Sequence, residues 1–172
     1  MSLDMMAAIL FAATILERVV ELIISRRNAQ WSFSRGGVEF GAEHFPLMVA
    51  MHSAFLASML AEFLVFGPEV QSNIRITAMI LAVLCQLGRW WIIQTLGYQW
   101  NTRVIVVRGM ERVRRGPFRF VNHPNYVVVA LETVVLPLIF GAWRTAIVFS
   151  CLNALMMRTR IKVENEALKA LR

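Results

Sequence analysis

The segment G-P-F-R-F-V-N-H-P-N-Y, which runs from Gly116 to Tyr126, lies where a polar part of the chain meets a long apolar run. It combines turn-forming residues with cations, a histidine and aromatic rings, and it follows a basic stretch that contains Arg108, Arg112, Arg114 and Arg115. Pro124 suits the first turn of a helix, where its missing N–H costs nothing, and Asn122 or His123 is expected to cap that helix. We therefore expect this segment to bind a polar ligand at the edge of an apolar region.

The composition around this segment is that of a membrane protein. The chain has 172 residues, of which 58% are hydrophobic and 17% are charged, and its mean hydropathy is +0.57. Soluble domains average about 45–50% apolar and about 25% charged residues. The net charge of +7 would suggest a nucleic-acid partner in a soluble protein, but here the cations fall between apolar runs. We therefore predict an integral membrane protein that binds no nucleic acid.

Apolar runs of about 20 residues are long enough to cross a bilayer. We expect three such spans, followed by a tight helical hairpin whose halves are separated at Pro137 and Gly141, and a charged helix at the C-terminal end. A polar loop is expected at about residues 26–45. The predicted helical ranges are Met5–Ile24, Pro46–Phe66, Ile74–Leu96, Pro124–Leu136, Trp143–Met157 and Arg158–Arg172.

The distribution of cations predicts the orientation of these spans, because cytoplasmic loops carry an excess of Lys and Arg. Fourteen of the 18 cations fall in the loop after the first span, the segment after the third span and the C-terminal tail. Five crossings then place the N-terminus outside and the C-terminus in the cytoplasm. The predicted fold is an all-α integral membrane protein of about five transmembrane helices, with a C-terminal hairpin and a cytosolic cofactor pocket. Its single domain divides into residues 1–99, with the three N-terminal spans, and residues 100–172, with the cofactor-binding segment, the hairpin and the tail.

Several polar residues lie inside the apolar runs. Glu17, Arg18 and Glu21 share one face of the first span, as the 3.6-residue period requires, and they form either a packing ion pair or the wall of a polar cavity. His52 is expected to be a packing residue, since no second ligand lies at metal spacing, and we predict no metal site. Cys85 and Cys151 are expected to be buried hydrophobic residues rather than a disulfide.

The tail and the opening segment together carry a second pattern. H-P-N-Y at residues 123–126 is followed, after the hairpin, by R-x-x-x-E at Arg160 and Glu164. These two residues are i, i+4 neighbours, as are Lys162 and Glu166, and such pairs ordinarily interact on a helix surface. The combination resembles the isoprenylcysteine carboxyl methyltransferase family over roughly the C-terminal half, from Leu96 onward. In the N-terminal half, E-R-V-V-E-L, S-R-R-N and E-H-F-P-L look like a bacterial subgroup that accompanies type III polyketide synthases and methylates alkylpyrone-type lipids.

The resemblance implies S-adenosylmethionine bound at the cytosolic face, without a Rossmann fold. It implies catalytic roles for Arg160 and His123 and a substrate-binding role for Arg160, to which we add Glu17 and Glu21 as the polar wall of the first span. Asn122 and Val128 depart from the arginine and glycine of relatives, and this argues against assuming a prenylcysteine substrate. The implied cofactor-binding residues are Met110, Glu111, Arg112, Val113, Phe118, His123, Pro124, Asn125, Tyr126 and Glu164.

The expected function is methyl transfer from S-adenosylmethionine to an oxygen of a lipophilic acceptor that comes from the bilayer. The acceptor is either an alkylpyrone-type lipid or a prenylcysteine-like carboxylate, and the location is a bacterial inner or plasma membrane. No G-x-G-x-x-G, P-loop, G-x-S-x-G or H-E-x-x-H pattern suggests another chemistry. Two alternatives are an NADPH-dependent membrane reductase of the sterol-reductase-like type and a non-catalytic membrane scaffold.

Overall fold

A computed structural model describes residues 2–170 and contains five helices and one small antiparallel sheet. Short 3₁₀ turns lie before α2, after α3 and before α4. The two strands pair in the register Val38 with Val106. The elements in chain order are α1 (Leu3–Phe33), β1 (Val38–Phe40), α2 (Phe45–Phe66), α3 (Ser72–Leu96), β2 (Val104–Val106), α4 (Pro124–Phe140) and α5 (Trp143–Ala170).

Helix α1 is longer than predicted, so residues 26–33 of the expected loop at 26–45 are helical instead. The helix continues through Arg26 and Arg27 to Phe33, because no glycine or proline interrupts this part of the chain. Its last turns also bury polar side chains against the segment after α3. Asn28 Nδ2 donates to the carbonyl oxygens of Gly97 and Trp100, at 3.0 and 2.8 Å. These contacts hold the end of α1 against the polar segment that precedes β2.

The helical hairpin is confirmed, but the helix breaks predicted at Pro137 and at Arg158 are wrong. Helix α4 passes through Pro137 and ends at Gly141, which has φ 75° and lies in the left-handed region. Pro137 has no N–H to donate to the carbonyl of residue 133, and only three helical residues follow it. Helix α5 is continuous across the predicted division at Arg158, since no helix breaker lies between residues 143 and 170.

The connections lie at two opposite ends of the helices. At one end, a side chain on Gly141 would approach the Cα of Pro68 to 2.7 Å, so the α4–α5 turn packs directly on the α2–α3 turn. At the other end, the two-stranded sheet lies beside the C-terminal part of α5. The cation-rich segments lie at this second end. Its assignment to the cytoplasm stays a prediction.

The lateral surface of the helices is apolar. Within residues 2–170, two helical ranges are long and apolar enough to cross a membrane, Ala42–Phe66 and Ser72–Gln99, and Pro124–Phe140 is a shorter apolar helix. Large apolar side chains are exposed along these helices and along α1 and α5, including Leu64 and Leu87. Soluble monomers rarely expose so much contiguous apolar surface. The all-helical architecture is confirmed, whereas five membrane crossings stay a prediction.

Candidate functional site

Helix α4 begins at Pro124, as predicted, and its first turn holds one side of the site. His123 occupies the capping position, but no side chain caps the helix, so the predicted capping by Asn122 or His123 is wrong. The backbone carbonyl of Asn122 instead accepts a hydrogen bond from Arg112 Nη2 at 2.9 Å. The His123 ring turns toward α5, where its Nδ1 lies 3.5 Å from Glu164 Oε1. The segment 116–126 therefore contacts the basic stretch through Arg112 and the C-terminal tail through Glu164.

Glu164 is the centre of a small polar cluster between α4 and α5. Tyr126 Oη donates a hydrogen bond to Glu164 Oε2 at 2.8 Å, and the Tyr126 and His123 rings lie 5.5 Å apart. Burial by itself raises the pKa of Glu164, but the contacts with His123 and Tyr126 and the charge of Arg160 outweigh it. The pKa of Glu164 is therefore lower than its ordinary value of 4.5. The cluster presents a carboxylate that is ionised at neutral pH.

Arg160 does not pair with Glu164 along the helix surface. Its Nη2 donates to the backbone carbonyl of Thr102 at 2.8 Å, and its Nη1 contacts the sulfur of Met48. Within residues 2–170, neither Arg160 with Glu164 nor Lys162 with Glu166 lies within ion-pair distance. These four residues therefore do not form the i, i+4 ion pairs that are ordinary on a helix surface. Arg160 is directed across the molecule, toward the segment before β2.

A cavity of about 180 Å³ lies between these groups. All ten predicted cofactor-binding residues line it, and Arg160 lines it as well. The structure thus brings together in space two sequence segments that are about forty residues apart. Their role in binding a cofactor stays a prediction. The predicted site residues that line the cavity are Met110, Glu111, Arg112, Val113, Phe118, His123, Pro124, Asn125, Tyr126, Glu164 and Arg160.

Sequence reasoning missed one wall of this cavity. Trp31 and Ser32 at the end of α1 and the residues of β2 also line it, together with Gln99, Trp100 and Asn101. The β-branched run at residues 102–107 correctly indicates an extended segment. A strand of three residues carries too little pattern to reveal its partner β1.

Glu17 and Glu21 lie elsewhere, in a buried charge cluster that joins α1, α3 and α4. Arg18 Nη1 lies 2.9 Å from Glu21 Oε2, and Arg89 contacts Glu132 closely and lies 3.5 Å from Glu21. This geometry matches the packing interpretation of the charged stripe. The cluster is connected to the cavity at one point, because Arg89 Nη1 donates to Asn125 Oδ1 at 3.5 Å. Contact of Glu17 and Glu21 with a substrate stays a prediction.

Comparison with known proteins agrees with this geometry. Residues 78–170 match the family model described as isoprenylcysteine carboxyl methyltransferase. The chain belongs to this family. The match starts in α3 and includes the basic stretch, the H-P-N-Y turn, the hairpin and the tail, so it covers every predicted cofactor-binding residue.

Relatives of the whole chain are bacterial. The uncharacterized protein YpbQ of Bacillus subtilis strain 168 is 39% identical over 162 residues, which cover 94% of this chain and 95% of the relative. An uncharacterized protein of Haemophilus influenzae strain Rd is 27% identical over 168 residues, 95% of each chain. No solved structure matches the chain. The N-terminal helices α1 and α2 are therefore shared with bacterial proteins, although they lie outside the family match.

Proposed function

We propose that this chain is a membrane-embedded methyltransferase that uses S-adenosylmethionine and methylates an oxygen of a lipophilic acceptor. The observation that carries the proposal is the cavity that the Glu164 cluster and Arg160 both line, in a chain of a methyltransferase family. The acceptor oxygen is a carboxylate or an enol or phenol hydroxyl, as in an alkylpyrone-type lipid or a prenylcysteine-like carboxylate.

The donor set of the cavity suits S-adenosylmethionine. Tyr126 occupies Oε2 of Glu164, and Oε1, which lies 3.5 Å from His123 Nδ1, can still accept from an ammonium or ribose hydroxyl group. His123 Nδ1 is a buried polar atom without a hydrogen-bond partner, as is expected of a group that meets a ligand. Met110, Val113 and Phe118 provide apolar surface for a purine ring.

The chemistry requires little from the protein beyond alignment and the exclusion of water. When bound, S-adenosylmethionine supplies an activated methyl group on a sulfonium. Arg160 orients an anionic acceptor oxygen through its planar guanidinium, and Glu164 holds the cofactor through a charge-assisted hydrogen bond. The apolar walls keep water away from the reacting atoms, and the fixed geometry lowers the entropic part of the barrier. An acceptor that arrives ionised needs no strong general base, so His123 acts mainly by position.

The surface of the helices supports entry of the acceptor from the bilayer. Exposed apolar side chains cover the helices, whereas the cavity lies at the end that gathers the cation-rich segments. An acceptor with an apolar tail therefore reaches the cavity sideways, and the water-soluble cofactor enters from the cytoplasm. In this arrangement the N-terminus lies outside a bacterial inner or plasma membrane, and the active site lies in the cytoplasm.

Thermal unfolding of the purified protein in detergent tests the choice of cofactor. A ligand that binds only the folded protein raises its melting temperature. We expect S-adenosylhomocysteine to stabilise the protein and NADPH to leave it unchanged. Stabilisation by NADPH alone would favour a reductase, and no effect of either ligand would favour a scaffold.

Two substitutions separate cofactor binding from turnover. Glu164→Ala removes a charged hydrogen-bond partner, and we expect S-adenosylhomocysteine to bind at least about tenfold more weakly. Arg160→Ala should leave that affinity within about twofold but reduce methyl transfer from labelled cofactor to a membrane lipid extract by at least about tenfold. Wild-type transfer by both variants would contradict the assignment of the site, and Lys162→Ala, on the same helix, is the matched control.

A further inference from the structure

Asn101 lies in the segment between α3 and β2, and its side chain is held in one orientation. Ser25 Oγ, which is buried on α1, donates to Asn101 Oδ1 at 2.7 Å. Ser25 Oγ is itself fixed, because it accepts from the backbone N–H of Thr102 at 3.0 Å. The carbonyl side of the Asn101 amide therefore faces α1, and its NH₂ group faces away.

The NH₂ group of Asn101 has no partner within the described chain. Asn101 Nδ2 is buried and makes no hydrogen bond, although Asn101 is one of the residues that line the cavity. Buried donors in proteins are nearly always satisfied, and an unsatisfied one calls for an explanation. A ligand oxygen in the cavity would supply the missing acceptor.

Arg160 is anchored at the residue that follows Asn101. Its Nη2 donates to the carbonyl of Thr102, and Arg160 and Asn101 both line the cavity. Arg160 also contacts the sulfur of Met48, which is a weak acceptor that an anion readily displaces. Glu164, one turn further along α5, is bonded to Tyr126 instead. A cation and a neutral donor thus border the same cavity.

From this geometry we propose that Asn101 and Arg160 together hold the methyl acceptor by two of its oxygens, and that Asn101 selects for the second oxygen. The inference rests on the proposed function and specifies its acceptor. Two donors, one of them charged, suit a headgroup in which two conjugated oxygens share one negative charge. A carboxylate and an enolised 1,3-dicarbonyl both have this chemistry, whereas a simple phenol has only one oxygen to offer.

Binding of three probes to the protein saturated with S-adenosylhomocysteine tests the inference by calorimetry in detergent. The probes are a long-chain alkyl hydroxypyrone, a fatty acid and an alkylphenol, all with the same chain length. We expect Asn101→Ala to weaken binding of the hydroxypyrone or the fatty acid at least about tenfold, and to change binding of the alkylphenol less than about twofold. Whichever two-oxygen probe shows this loss identifies the headgroup.

Two further variants keep the result interpretable. Asn101→Asp preserves the acceptor for Ser25 and the size of the side chain, but it replaces the donor with an anion, so it should weaken the two-oxygen probes more than Asn101→Ala does. Asn73→Ala, an exposed asparagine at the opposite end of α3, is the matched control and should bind all probes as the wild type does. Affinity for S-adenosylhomocysteine should be unchanged in all three variants.

The outcomes separate this inference from the proposed function. Unchanged binding of the two-oxygen probes by Asn101→Ala overturns the inference, and so does an equal loss of affinity for all three probes. If the wild type binds S-adenosylhomocysteine but prefers neither two-oxygen probe to the alkylphenol, the inference fails while the proposed function stands. If the wild type does not bind S-adenosylhomocysteine, the proposed function itself fails.

Discussion

Glu164 shows how single contacts set the charge state of the site. The side chain is only partly exposed, and burial alone would favour its neutral form. Tyr126 donates to one carboxylate oxygen, and the His123 ring lies near the other. Both contacts favour the ionised form, so the pKa of Glu164 falls below 4.5. The same residue is then a stable anion over the whole physiological range.

This direction predicts how cofactor affinity depends on pH. Because the pKa of Glu164 is lowered in the folded protein, its ionised form persists above the ordinary value of 4.5 and is lost only as the pH falls below it. We expect the affinity for S-adenosylhomocysteine to be constant from about pH 8 to about pH 5 and to weaken below that range. Calorimetry across this range is the measurement, and Glu164→Gln should bind weakly and without the acidic fall. A fall centred near neutral pH would contradict the role of Glu164.

Tyr126→Phe tests the hydrogen bond that supports this carboxylate. The substitution removes the donor to Glu164 Oε2 but keeps the ring against His123. Hydrogen bonds to charged groups contribute about 1.5–3 kcal/mol, less when water has access to them. The acidic fall in affinity should therefore move to higher pH in Tyr126→Phe than in the wild type. An identical pH profile would show that Tyr126 does not stabilise the Glu164 charge.

At the scale of elements, hydrophobic period and length predicted α2, α3 and the hairpin, because these helices are long, apolar and bounded by Gly or Pro. The charged end of α5 was likewise predicted to be helical, whereas the last turns of α1 were not. Those turns are polar, and Asn28 packs them against the carbonyls after α3, a tertiary contact that no local pattern shows. The cavity could be predicted only on the side that the H-P-N-Y and R-x-x-x-E patterns mark. Trp31 and Asn101 reach it through helix extension and strand pairing, which leave no local pattern.

The start of α5 depends on a carboxylate from another helix. Glu62 on α2 accepts from the backbone N–H groups of Arg144 and Thr145, at 3.0 and 2.8 Å, and from the Thr145 hydroxyl at 2.6 Å. It thus satisfies N–H groups that the first turn of a helix leaves free, and its charge favours the positive end of the helix dipole. Sequence alone showed only an acidic residue inside an apolar span.

Glu62→Ala should consequently weaken the hairpin. We expect a loss of about 1–3 kcal/mol in the free energy of unfolding, since the buried N–H of Thr145 and the partly buried N–H of Arg144 lose their partner. Glu62→Gln should lose less, because the amide keeps one acceptor oxygen. Denaturation in detergent measures both variants. Glu69→Ala, which removes an exposed partner of Arg144 at the same end, should change stability little. Equal effects of Glu62→Ala and Glu69→Ala would contradict the capping role.

At the scale of the whole molecule, a buried charge cluster joins three of the helices in addition to their apolar core. Arg89 on α3 lies between Glu21 on α1 and Glu132 on α4, and Arg18 lies 3.5 Å from Glu132. Charges in the apolar part of a membrane protein are costly unless they are paired. The cluster therefore restricts how these helices can be arranged, and through Asn125 it reaches the first turn of α4. The position of the H-P-N-Y turn depends on this arrangement.

Arg89→Ala is expected to be the most destabilising of these substitutions. It removes the buried cation that Glu21 and Glu132 share and leaves them to the partly exposed Arg18, and breaking a buried ion pair in this way costs about 3–5 kcal/mol. The double variant Arg89→Leu with Glu132→Leu removes the opposite charges together, so its unfolding free energy should lie above that of Arg89→Ala. Denaturation in detergent gives both values, and the affinity for S-adenosylhomocysteine reports on the turn. Because Asn125 loses its donor in either variant, both should bind S-adenosylhomocysteine more weakly than the wild type, even where the double variant has regained stability. Wild-type affinity in the double variant would show that the cluster holds the helices together without positioning the site.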